Sequence, residues 1–272
     1  MTKVTTNAVK TDKTIQKETI QEKPIEIVQS LIKGLAVIQA FNKPQAKMTL
    51  SEVAVETGFS RAATRRFLQT LVVEGYAKQE GKLFSLTPKV LNLGFAYLSS
   101  QDIWQHGKTL MQQLVEQLNE SCSAAVLDGE DVVYVARVAT IKRIMSISLN
   151  VGTRLPAFAT SLGRVLLAEL AVNELDLFLS QCELEKFTQY TLTDKAQLIA
   201  DIAQVKQQGY SIVEQELELG LTSISVPVFD RLGDVVAALS ISTHISQGAG
   251  QQLQDTILPA LKTCAEKIAL AH

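Results

Sequence analysis

Disulfide frameworks, metal clusters and membrane spans all need residues that this 272-residue chain barely has. Its three cysteines, Cys122, Cys182 and Cys264, are far apart and odd in number. That excludes a disulfide framework and any CxxC pair, so they read as small buried hydrophobes. The three histidines, His106, His244 and His272, are equally scattered, and neither a metal site nor another cofactor is expected. No apolar run reaches the roughly 18 to 20 residues a bilayer requires. The polar segment Met1 to Lys23 lacks the apolar core of a secretory signal, so a cytoplasmic protein is expected. There is no GxSxG, no phosphate-binding glycine loop, and no His or Lys base near Ser161 in sequence. No catalytic constellation emerges from the residues.

The length allows two domains with ordinary cores, and 46% hydrophobic with 20% charged residues describes a globular chain. The net charge of −2 conceals a division. From Val28 to Val90 nine cations meet four acids, a net +5, whereas Leu91 to His272 holds twelve cations against twenty acids, a net −8. A basic module on an acidic body is the distribution that attraction to a phosphate backbone needs.

The basic module centres on Thr49 to Leu86, which reads as a winged helix-turn-helix. Thr49 with Glu52 three residues on is a capping-box pattern, and Gly58 can take the left-handed turn that ends a first short helix. Ser60 caps a second helix whose Thr64, Leu68 and Leu71 recur at core-facing spacing. Its other stripe is Ala62, Arg65, Arg66 and Gln69, with Arg61 on the opening turn. Small residues there allow close approach to a major groove, and Arg or Gln can pair bidentately with base edges. Beyond Gly75, the runs Tyr76 to Gln79 and Leu83 to Leu86 form a hairpin with Lys82 at its tip, the wing. The alternative at this point is an ordinary helical hairpin with a solvated basic face.

Residues 1–26 read as a disordered arm, and 27–87 as the winged helix-turn-helix domain. Its first helix, Ile27 to Phe41, is ended by Asn42-Lys43-Pro44. Residues 88–101 read as a linker helix started by Pro88 and apolar on more than one face, a dimer contact or an internal packing element. Residues 102–272 form the second domain. It begins with a helix from Trp104 to Asn119, followed by strands Cys122 to Leu127, Val132 to Val138 and Ile144 to Leu149. Helices at Arg164 to Leu170, Asn173 to Ser180 and Asp194 to Gln208 come next. Strands Tyr210 to Glu214, Ser223 to Phe229 and Val235 to Thr243 lead to a closing helix, Ala249 to Ala271, interrupted at Pro259. Without strict βαβ alternation the fold class is α+β, an antiparallel sheet with helices to one side.

Two places in this domain invite a ligand. One is the helix start at Thr160, Ser161, Leu162 and Gly163, where free N–H groups can hold an anion and Gly163 would let a ligand approach the backbone. The other is the pair Ser223-Ile224-Ser225 and Ser240-Ile241-Ser242. Hydroxyls alternating with aliphatics mark either a cavity floor or packed serines bonded to their neighbours. Arg137 and Arg154 are the candidates for a buried counter-charge to a carboxylate.

SRAATRRFLQTLVVEGY (Ser60 to Tyr76), RLPAFATSLGRVLLAEL (Arg154 to Leu170) and the stretch from Gly209 to Ser242 resemble the IclR family of bacterial transcriptional regulators. The likeness covers Val28 to His272. The segment from Val135 to Leu170 resembles more narrowly the branch controlling aromatic-acid catabolism. The resemblance implies a winged helix-turn-helix, a linker helix and a GAF-like effector domain. It also implies a homodimer or dimer of dimers on double-stranded operator DNA, activation of transcription, and p-hydroxybenzoate or protocatechuate as effector. Carried over, the effector positions are Ser161, Leu162, Val213, Ser223, Ser240 and Ser242, with Met145 beside the ring. Val213 stands where the family usually has Asp, which implies a drier pocket suited to an aromatic ring. An enzyme acting on a small acid and a constitutive DNA-binding scaffold are the other readings.

Overall fold

The computed structural model describes residues 26–41, 46–99, 103–140, 149–245 and 253–270. The arm apart from Glu26, the Asn42-Lys43-Pro44 stop, and the expected strand at Ile144 apart from its final Leu149 lie outside the described residues. Two compact units divide after Asn92.

The first unit contains α1 (Gln29–Gln39), α2 (Leu50–Thr57), α3 (Arg61–Val73) and the hairpin β2 (Ala77–Glu80) with β3 (Leu83–Leu86). A two-residue strand β1 (Met48–Thr49), unanticipated from sequence, pairs antiparallel with β3 and completes a three-stranded sheet. The capping box is present: Glu52 N–H donates to Thr49 Oγ1 at 3.3 Å, and Thr49 N–H donates to Glu52 Oε2 at 2.6 Å. The Glu52 carboxyl is held below its ordinary value by the hydrogen bonds it accepts from the Thr49 N–H and hydroxyl. Gly58 takes φ 68 to end α2, and Ser60 Oγ accepts Ala63 N–H at 3.3 Å to start α3. Val37, Val53, Leu68, Leu71, Ala77 and Phe84 close a core behind α3. The next helix, α4 (Leu91–Ser99), begins as expected after Pro88.

Among the described residues the second unit is built on a six-stranded antiparallel sheet. In chain order its strands are β4 (Ser121–Asp128), β5 (Asp131–Val138), β6 (Arg154–Pro156), β7 (Ser211–Glu214), β8 (Leu221–Phe229) and β9 (Val235–His244), arranged β6-β5-β4-β9-β8-β7. The helices are α5 (Ile103–Leu118), α6 (Ser161–Ala168), α7 (Val172–Gln181), α8 (Lys195–Gln208) and α9 (Leu258–Leu270). They cover both faces of the sheet, not one as expected. On one face Cys122, Ala124, Ile224, Val226 and Ile241 pack under α5 and α9. On the other, Ala125, Tyr134 and Ala238 pack with residues of α6, α7 and α8. The physical reason lies in the strands, which carry buried residues on both sides of the pleat and so need two covers.

Candidate DNA-reading surface and ligand cleft

Helix α3 turns Thr64, Leu68 and Leu71 inward, and Phe67 rests against Phe59 with ring centroids 6.3 Å apart. The same 3.6-residue repeat turns Arg61, Ala62, Arg65, Arg66 and Gln69 out to solvent. None of the three arginines forms an ion pair with a described residue. In the wing, Glu80 takes up two cations, Lys47 at 2.6 Å and Lys78 at 2.8 Å. Hydrogen bonds from those two lysines hold its carboxyl down at about 2. Lys82, at the tip, is exposed and makes no ion pair with a described residue. The surface is therefore one of uncommitted cations around a small residue, as contact with a nucleic-acid backbone and groove edge requires.

In the second unit, alternation along the strands gives the sheet one aliphatic and one hydroxylated face. Opposite the aliphatic face lies a row in register: Arg137 beside Ser123, Ser123 beside Ser240, Ser240 beside Ser225, and Ser225 beside Ser211. A second row runs Ser121, Ser242, Ser223 and Val213. The start of α6 meets these rows. Ser161 Oγ donates to Ser223 Oγ at 2.9 Å and lies 2.7 Å from Ser225 Oγ. Ser161 thus partly satisfies two of the sheet serines, and Ser223, Ser240 and Ser242 line a cleft. The cavity inside that cleft is about 20 Å³, room for about one water, so a ring-sized ligand needs its walls to part.

The structure brings Thr160, Ser161, Leu162, Val213, Ser223, Ser240 and Ser242 together around this cleft. Thr160 caps α6, its Oγ1 accepting Gly163 N–H at 3.0 Å. The Ser161 and Leu162 N–H groups have no acceptor within the helix, as in any first turn. Gly163 departs from the expectation of ligand approach. A Cβ there would sit 2.0 Å from the Ala157 carbonyl oxygen, so the close approach that glycine permits is to the chain's own backbone.

The arginines separate. Arg154 is a correction: it lies on the outside, its Nη1 2.5 Å from Asp128 Oδ2 and its Nε 3.0 Å from Asp131 Oδ2. Pairing of β5 with β6 sets it beside the acidic hairpin tip, and those bonds push its guanidinium pKa up. It is not a buried counter-charge. Arg137 is half-buried and donates from Nη1 to Ser123 Oγ at 2.8 Å, one strand from the cleft's own serines. Met145 lies outside the described residues.

The most deeply buried charge among the described residues is one that the sequence did not single out. Arg164, 2% exposed, donates from Nη2 to Glu216 Oε2 at 2.7 Å and from Nε to the Phe158 carbonyl at 3.1 Å, with Asp201 Oδ2 3.1 Å from Nη1. Glu216 also accepts Leu192 N–H at 3.0 Å and lines the cleft beside Gln215. Gln215 has φ 57, its Oε1 accepting Gly220 N–H at 3.1 Å. The signal was available: a lone arginine in the otherwise apolar helix SLGRVLLA has no polar face to share and must find buried carboxylates. Glu216 also adds to the lining a charge that the sequence did not point to. Beside the apolar Leu155, Leu162, Val213 and Leu221, the lining includes a carboxylate, an amide and a set of hydroxyls.

Among the described residues no cluster of His, Cys, Asp or Glu is placed to hold a metal, and no helix is long and apolar enough to cross a membrane. Burial pushes the thiols of Cys182 and Cys264 up to about 11 and that of Cys122 well above its ordinary value.

Two family models match, the IclR helix-turn-helix domain over residues 30–81 and the C-terminal domain of the bacterial transcriptional regulator IclR over 95–270. The Pca regulon regulatory protein of Pseudomonas putida is 44% identical over 236 residues, 87% of this chain and 81% of that protein. The p-hydroxybenzoate hydroxylase transcriptional activator of Acinetobacter baylyi is 34% identical over 247 residues, 89% and 91% of the two chains. A solved double mutant of the PobR inducer-binding domain from Acinetobacter, in complex with 3-hydroxybenzoic acid, aligns at 32% identity with a TM-score of 0.57, covering 61% of this chain and 96% of that one. These relatives regulate transcription and are not enzymes, which sets aside the reading of the cleft as a catalytic site. With both of its units matched, the chain belongs to the IclR family of transcriptional regulators and is similar to members governing aromatic-acid catabolism.

Proposed function

We propose that the chain is a ligand-responsive activator of aromatic-acid catabolism whose effector is p-hydroxybenzoate, with protocatechuate the alternative. It acts in the cytoplasm as a homodimer or dimer of dimers on a double-stranded operator. Two α3 helices enter successive major grooves, phosphate contacts set the register, and Arg65 and Arg66 read base edges. Exposed apolar residues support self-association: Leu31 and Ile32 on α1, and Leu91 and Phe95 on α4, the last two 72% and 67% exposed.

The observation that carries the ligand reading is the convergence at Ser161, where a helix start meets serines from strands more than 60 residues away. The acid's carboxylate sits against the free N–H groups of that start, and its ring rests on Leu162 and Val213. The related inducer-binding domain crystallised with 3-hydroxybenzoic acid supports a hydroxylated benzoate as the class. Unequal affinity of this acid for two arrangements of the protein then shifts the DNA-reading units between them. Calorimetry with p-hydroxybenzoate, protocatechuate, benzoate and glyoxylate tests the reading. p-Hydroxybenzoate is expected to bind tightest; tightest binding of glyoxylate would overturn it.

A further inference from the structure

Strand β5 breaks its own alternation. Ala125 of β4 faces Tyr134 and Ala124 faces Ala136, so Val135 has no partner and the strand bulges there. One inserted residue reverses the side to which everything after it points. Tyr134, before the bulge, packs with the α6 side, while Val135 and Ala136 both join the aliphatic core under α5 and α9. Arg137 then returns to the hydroxylated face, beside Ser123. Without the bulge Arg137 would point into the aliphatic core. The irregularity therefore sets a phenol and a guanidinium on one side of the sheet.

Tyr134 lines the cleft and is 5% exposed, yet its hydroxyl makes no hydrogen bond with a described residue. Burial pushes its phenol up to about 12, partly offset by the charge of Arg137. At working pH it is thus a neutral donor in the lining of the cleft. Glu216 also lines the cleft, so its carboxylate disfavours an anion there even though Arg164 balances it. Donor and cation on β5, with a carboxylate elsewhere in the lining, give the space a polarity that orients an acid.

We propose that the Tyr134 hydroxyl donates a hydrogen bond to the carboxylate of the bound effector, with Arg137 in the adjoining row supplying the counter-charge. Tyr134 then favours acids, whose carboxylate is the stronger acceptor, over neutral aromatics. This rests on the reading of the cleft as a small-acid site, and the test separates the two. Calorimetry on the full-length protein compares wild type with Tyr134→Phe, which keeps the ring, against p-hydroxybenzoate, benzoate and the neutral p-hydroxybenzamide. The variant should lose about tenfold in affinity for both acids. Its binding of the amide, whose carbonyl is the weaker acceptor, should fall by less than its binding of the acids, and its thermal midpoint without ligand should stay unchanged. Arg137→Gln should weaken both acids in the same pattern, which keeps the proposal testable if Tyr134→Phe folds poorly. If the wild type binds no aromatic acid, the small-acid reading and this proposal fall together. If it binds p-hydroxybenzoate but Tyr134→Phe binds it equally well, the role of Tyr134 is overturned and the small-acid reading stands. A loss confined to p-hydroxybenzoate, with benzoate unaffected, also overturns it, because the phenol would then meet the ligand's own hydroxyl.

Discussion

The arginines of the two units live under opposite rules. Arg61, Arg65 and Arg66 stand in solvent on α3, whereas Arg164 is 2% exposed and meets Glu216, Asp201 and a backbone carbonyl. A cation that reads DNA must be free to exchange water for phosphate or base. A cation inside a domain must have matched partners, because leaving a buried charge unpaired costs several kcal/mol. Removing the first kind should change binding and leave folding alone; removing the second should do the reverse.

That contrast can be broken or sharpened by measurement, beginning with the largest effect. Arg164→Ala should destabilise the second unit by about 3–5 kcal/mol, since it strands Glu216. Urea unfolding checks this, and a loss below about 1 kcal/mol would mean that the cluster contributes little. Gly163→Ala should cost about 1–3 kcal/mol or more, because its Cβ would fall 2.0 Å from Ala157 O. A thermal midpoint equal to wild type would show that α6 can shift away without penalty. Arg65→Ala should weaken operator binding by about 1–3 kcal/mol if it reads a guanine, with unfolding unchanged. Equal affinity in a gel-shift titration removes it from that role. Lys82→Ala should act more gently still, lowering the slope of log affinity against log salt by about one; an unchanged slope would take the wing tip off the phosphate backbone.

The smallest effect concerns pH. Glu80 is held at about 2 by Lys47 and Lys78. Its folded value lies below its ordinary one, so its contribution is present above about 4.5 and fades as pH falls through about 2. Carboxyl NMR should give a midpoint near 2 in the wild type and a higher one in Lys47→Ala. A wild-type midpoint near 4.5 would mean that the wing ion pairs do not persist in solution.

What sequence could convey follows the same division. The first unit was legible because its signals are local: Thr49 with Glu52, Gly58, Ser60 and a stripe on one helix all act within a few residues. The short strand β1 was not, since two residues become a strand only when β3 lies beside them. In the second unit the hydroxyl alternation and the Thr160 cap were legible. The partners of the arginines were not. Arg164 meets Glu216 from 52 residues away, and Arg154 was drawn outward by Asp128 and Asp131 across a strand pairing that propensity does not specify. Tyr134 reaches the same face as Arg137 through a bulge, a feature of register and not of composition.

Effector control of transcription requires that the cleft and the reading helix be coupled. Anisotropy titration of full-length protein against a DNA fragment selected for binding, with and without saturating p-hydroxybenzoate at fixed salt, tests this most directly. An affinity change of about fivefold or more is expected, mirrored in the affinity for the acid with and without DNA. Tight binding of the acid with identical DNA affinity in its presence and absence would contradict it.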